Sequence, residues 1–214
     1  MRRLALAAVF ALALVAPPAT ARTPHRYPPI DECTKLPGAA AFRASLAKAA
    51  RRRDARALVA LADKNIELDF GGGAGTAELR KRLAGSQGRE LWRALDRMLP
   101  LGCAYRNTNL ILPSLFSVEF TDVDAMSVFL VTGAAVPLRD RPEGRSRIVA
   151  TLSWDLVEPV AGTAARGGFS KVRVIDRGRT GYVETARLRS PIDYRLLARR
   201  RSGVWRIEAL IAGD

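Results

Sequence analysis

The sequence predicts an α+β chain: a small helical domain with a linker over residues 39–122, then a β-barrel with a terminal β-hairpin over residues 123–214. Apolar residues recur at helical spacing between Ala39 and Leu99, and at a period of two between Ser127 and Leu188. Gly, Pro and Asp punctuate the second stretch often enough to cut it into short strands.

Met1-Arg2-Arg3, the apolar run Leu4 to Val15, two prolines and Ala19-Thr20-Ala21 have the n-region, h-region and A-x-A site of a secretory signal over residues 1–21. The run is shorter than the roughly 18 apolar residues of a membrane span. A periplasmic or secreted product is expected. In an oxidising compartment Cys33 and Cys103 read as a disulfide. Closing a loop of about 70 residues would stabilise the fold by roughly 4 kcal/mol on loop-closure entropy.

Residues 22–38 hold Pro24, Pro28, Pro29 and Pro37 and read as an extended leader pinned at Cys33. Phe42, Leu46 and Ala49 then form one apolar stripe, and Asp54 reads as the cap of a second helix carrying Leu58 and Leu61. A third helix is expected from a Thr76 cap, and a fourth from a Ser86 cap with Leu91, Trp92, Leu95 and Met98 on its buried face. Between helices two and three, Ile66 to Phe70 is strand-like and runs into Gly71-Gly72-Gly73-Ala74-Gly75. A dinucleotide fingerprint needs Gly where Thr76 stands, and a phosphate loop needs Gly-Lys-Ser/Thr, so nucleotide binding is not expected. Residues 104–122 read as an ordered linker.

In Phe169 to Val174, alternation puts Val172 and Val174 on a core face and Phe169, Lys171 and Arg173 on the other. Phe169 reads equally as a binding aromatic or as a strand-end residue turned inward. Asp176-Arg177-Gly178 supplies the following turn. Val136-Pro137-Leu138-Arg139 with Pro142 and Ser146, Ile148 to Leu152, Phe169 to Val172, and Thr180-Gly181-Tyr182-Val183 together resemble the bacterial SH3-like (SH3b) domains of exported cell-wall proteins. The resemblance covers about 60 residues. It departs at Phe169, where the family often has Trp, and at Asp155, where a turn Gly is usual. It implies an SH3-like barrel that binds peptide or peptidoglycan. The ligand-binding residues it suggests are Trp154, Phe169 and Tyr182 as a groove wall, with Arg139 or Lys171 meeting a ligand carboxylate. Trp154 reads as readily as core. After the Ser190-Pro191 break, Ile192 to Ala198 and Val204 to Ala212 form the terminal hairpin. It would extend or cover the barrel, with Trp205 in the core or beside Tyr182.

The net charge is +14; without Arg2 and Arg3 it is +12, from 33 basic and 21 acidic residues. No nucleic-acid motif accompanies it, and salt-dependent association with anionic lipid or polymer is expected instead. Beyond the signal there is one histidine, His25, in the leader. Serine and cysteine hydrolases use a His base and zinc amidases use His ligands, so no catalysis and no metal or cofactor is expected. The expected function is non-catalytic binding of cell-wall peptide or peptidoglycan. The alternatives are an envelope protein–protein scaffold and a carboxylate-pair glycan hydrolase.

Overall fold

A computed structural model of the protein describes residues 25–120 and 122–213; the expected signal peptide lies outside them. Among these residues the fold is α+β, with four α-helices and two sheets.

Helix α1 (Ala39–Arg52) buries Phe42, Leu46 and Ala49, the stripe that helical spacing requires. Helix α2 (Ala55–Leu61) is capped by Asp54, whose carboxylate accepts a hydrogen bond from the Ala57 amide at 2.9 Å. Leu58 is buried and Leu61 half-buried. Helices α3 (Gly75–Ala84) and α4 (Gly88–Met98) have no side-chain cap, so Thr76 and Ser86 do not play that part. Their apolar faces are nonetheless as expected: Leu79 and Leu83 on α3, and Leu91, Trp92, Leu95 and Met98 on α4.

Strand β1 (Ala62–Glu67) joins α2 to the glycine loop. The stretch that reads as a linker contains a hairpin, β2 (Ala104–Arg106) and β3 (Asn109–Leu112). Its turn places Asn107 and Thr108 at φ 50° and 69°, the positive values that a two-residue hairpin loop requires. Thr is a poor residue for that conformation, which is why the turn is hard to see in the sequence.

The terminal hairpin, β11 (Arg195–Arg201) and β12 (Val204–Ile211), does not extend the expected barrel. It completes a five-stranded sheet of order β1-β12-β11-β3-β2, with β1 parallel to β12 and the other pairs antiparallel. The reason lies in its apolar face. Leu196, Ala198, Trp205, Ile207 and Leu210 are buried against Phe42, Leu46, Leu58, Leu95 and Met98 of the helices. Trp205 therefore belongs to the helical core, packed near Phe42 and Tyr105, and its indole N–H donates to the Pro37 carbonyl at 3.0 Å.

The second sheet is antiparallel: β4 (Phe129–Val131), β5 (Val136–Arg139), β6 (Ile148–Leu152), β7 (Leu156–Pro159), β8 (Phe169–Val174), β9 (Thr180–Glu184) and β10 (Leu188–Arg189). Their order is β10-β4-β7-β8-β9-β5-β6, and neither sheet closes into a barrel among the described residues. The valine face is the core face: Val131, Val136, Val157, Val172, Val174 and Val183 pack there with Leu138 and Leu152.

Cys33 and Cys103 form a disulfide, and both are fully buried. The segment before Cys33 is not a loose leader. The Tyr27 amide donates to the Trp154 carbonyl and the Leu156 amide to the His25 carbonyl, both at 2.9 Å, laying the segment beside the second sheet. A few residues on, the Cys103 amide donates to Ile30 and the Glu32 amide to Cys103, both at 2.8 Å. Gly102, at φ 76°, lets this strand approach: a Cβ there would stand 2.2 Å from the Ile30 carbonyl oxygen.

Candidate binding face of the second sheet

The register of β5, β9 and β8 sets Arg139 opposite Tyr182 and Tyr182 opposite Lys171. Three of the five residues expected at a ligand site thus form a row across three strands. All three are half-buried, so each keeps surface toward solvent. The Lys171 ammonium lies 5.9 Å from the Tyr182 ring centroid, a cation–π arrangement. Arg139 is held by a hydrogen bond from Nη1 to the Ser146 carbonyl at 2.7 Å. Ser146 is itself buried, its hydroxyl donating within the turn of Arg141 and Glu143. The row is a cation, an aromatic ring and a second cation, the groups that would meet a carboxylate beside a flat side chain.

Phe169 is nearby but is not a surface aromatic. It is only 8% exposed and lines a small hollow of about 120 Å³ with Val136, Pro137, Arg139, Glu184 and Arg187. It enters β8 directly from a turn in which Gly167 and Gly168 have φ 58° and 80°, and Arg166 and Phe169 exchange backbone hydrogen bonds across it. The strand-end position explains why strict alternation misplaces the ring.

Trp154 is not in the row. It packs half-buried against the cluster of Leu115, Val128, Leu130 and Leu156 with Tyr27. It also holds a left-handed backbone position, at φ 58°, one residue before Asp155, where the SH3-like resemblance expects a turn Gly. Asp155 is instead fully buried, and its carboxylate accepts from Arg26 Nε at 3.2 Å and Arg177 Nη2 at 3.1 Å.

The sequence offers no signal for the environment of His25. Its ring is 6% exposed, with Nδ1 2.5 Å from Asp176 Oδ1 and Nε2 3.0 Å from both oxygens of Asp122. Its backbone amide also donates to Asp176 at 2.6 Å. Hydrogen bonds accepted by Asp176 first, then by Asp122, raise the imidazole pKa above its ordinary value against the opposing effect of burial. With a carboxylate on each ring nitrogen, both nitrogens of His25 are engaged within the protein.

The glycine loop is likewise self-contained. The Asp69 carboxylate accepts from the Gly71 and Gly73 amides at 2.8 Å each, so these donors already face an internal anion. Arg82 closes the loop by pairing with Asp69, with Glu78 at 2.9 Å and with the Leu68 carbonyl at 3.0 Å. The Arg82 pairing holds the Asp69 carboxyl below its ordinary range. Asp31 lies beside Cys33 and Cys103, but those sulfurs are bonded to each other and offer no thiolate to a metal.

No family model and no curated protein matches the chain. Among solved structures, a chain named as a variant of Rd1NTF2_05 is similar at 15% identity and a TM-score of 0.31, covering 82% of this chain and 96% of that one. A likeness that loose carries no argument about fold or function.

Proposed function

We propose that this is a non-catalytic binding protein of an exported compartment that engages a carboxylate-bearing cell-wall peptide through the outer face of its second sheet. The observation that carries the reading is the Arg139–Tyr182–Lys171 row. Arg139 or Lys171 meets the ligand carboxylate, and the Tyr182 ring supplies apolar contact beside it. The SH3-like resemblance supports it further, since β5, β6, β8 and β9 fall on the segments that carry the resemblance. The signal pattern and the buried disulfide favour export.

The glycan-hydrolase alternative asks for two carboxyl groups across a cleft. A concavity of about 590 Å³ beside the second sheet has no Asp or Glu among its lining residues. Titrating the chain from Arg22 onward with a soluble cell-wall peptide tests the proposal. Tyr182→Ala with Lys171→Glu is expected to weaken binding at least tenfold, on the order of 1.4 kcal/mol. Equal affinity in wild type and double variant would remove the row from the account.

A further inference from the structure

The 590 Å³ cleft lies on the other side of β8 from the row, between the C-terminal end of α4 and the second sheet. It is within the roughly 300–1,000 Å³ range of small-molecule sites. Phe129, Pro159, Val172 and Leu188 give it an apolar lining. Its hydroxyls are already bonded within the protein: Ser170 to Thr185 at 2.9 Å, and Thr163 to the Val160 carbonyl at 2.6 Å. Lys171 borders the cleft, but alternation along β8 sends its ammonium to the opposite face, over Tyr182. The walls therefore ask for an apolar body with few polar groups.

One end differs. A recess of about 170 Å³ shares Arg97, Ala186 and Leu188 with the cleft and reaches Arg189 and Asp193. Arg97, in the last turn of α4, is exposed and has no hydrogen bond or ion pair among the described residues. Arg189 is 5% exposed. Its Nη2 donates to the Tyr194 carbonyl; its Nη1 lies 3.2 Å from Asp193 but is not aligned for a hydrogen bond. Burial first, and the nearby Arg97 as well, push against the Arg189 cation, while Asp193 alone supports it. The other acid of the recess, Asp96, faces away to Arg53 at 2.5 Å. Two guanidinium groups thus share this end with one facing carboxylate, and a second anion has an evident place against Arg97.

We infer that this cleft is a second binding site, for a small amphipathic carboxylate whose alkyl chain lies along Phe129, Pro159 and Leu188 and whose head pairs with Arg97. It shares Lys171 at its border with the peptide-binding row but uses neither Arg139 nor Tyr182, and neither reading needs the other.

Calorimetric titration of the intact chain with hexanoate, octanoate, decanoate, decanol and decylamine, each below its micelle concentration, tests it. Saturable one-to-one binding of the carboxylates is expected, tightening about fourfold per added methylene. Arg97→Glu, at an exposed helical position, is expected to weaken decanoate at least tenfold while leaving cell-wall peptide binding unchanged. Decylamine is expected not to bind. Affinity independent of chain length would reduce the effect to net charge and overturn the site. So would equal decanoate binding by Arg97→Glu, or the absence of saturation.

Discussion

At the scale of single residues, His25 decides how the N-terminal segment is held. Its pKa is higher folded than unfolded, so its stabilisation is complete below about pH 6.5, the unfolded value, and is lost as pH rises through the higher folded value. His25→Ala is expected to lower stability by about 1–3 kcal/mol near pH 5.5. Urea unfolding should show that difference shrinking as pH rises above about 6.5 and through the raised folded value; a difference that grows with pH would contradict a raised His25 pKa. Asp155 is the second such residue. Replacing it by Ala leaves Arg26 and Arg177 without their buried partner, which is expected to cost about 1–3 kcal/mol in the same measurement. Neither residue is legible as a site in the sequence, because three of their four side-chain partners lie at separations of 97 to 151 residues, Arg177 at 22 being the exception. Phe169 shows another limit: alternation holds for Val172 and Val174 and fails where the strand begins at a glycine turn.

Among the elements, those with strong local signals are the ones the sequence reveals. The α1 stripe, the Asp54 cap and the α4 apolar face follow from periodicity and capping chemistry. Strands β5, β6, β8 and β9 fall where alternation and turns set them. The β2–β3 hairpin is hidden because Asn107-Thr108 does the work that Asn-Gly usually does. Thr108→Gly removes a β-branched residue from positive φ and is expected to raise stability by about 0.5–1 kcal/mol, read as a higher thermal midpoint. A lower midpoint would mean that the Thr108 side chain contributes more than its backbone conformation costs.

Across the whole molecule, the arrangement rests on contacts between distant parts of the chain, which composition and periodicity cannot report. Leu196, Ala198, Trp205 and Ile207 read only as alternate apolar residues, a pattern that suits either sheet. Complementary apolar faces settle the matter, and the C-terminal hairpin becomes the centre of the helical half's sheet. A chain ending at residue 189 is therefore expected to lose cooperative unfolding of the helical half, monitored by Trp92 fluorescence. The disulfide acts at the same scale. Reduction is expected to cost about 2–4 kcal/mol, since Cys33 and Cys103 close a 70-residue separation that includes all four helices.

Wall binding is tested by sedimenting the chain from Arg22 onward with purified peptidoglycan at low and at high salt, beside the Tyr182→Ala, Lys171→Glu double variant. Wild-type retention at high salt is expected, with loss of that retention in the variant. Retention that disappears with salt equally for both proteins would reduce wall association to net charge and contradict a specific site on the second sheet.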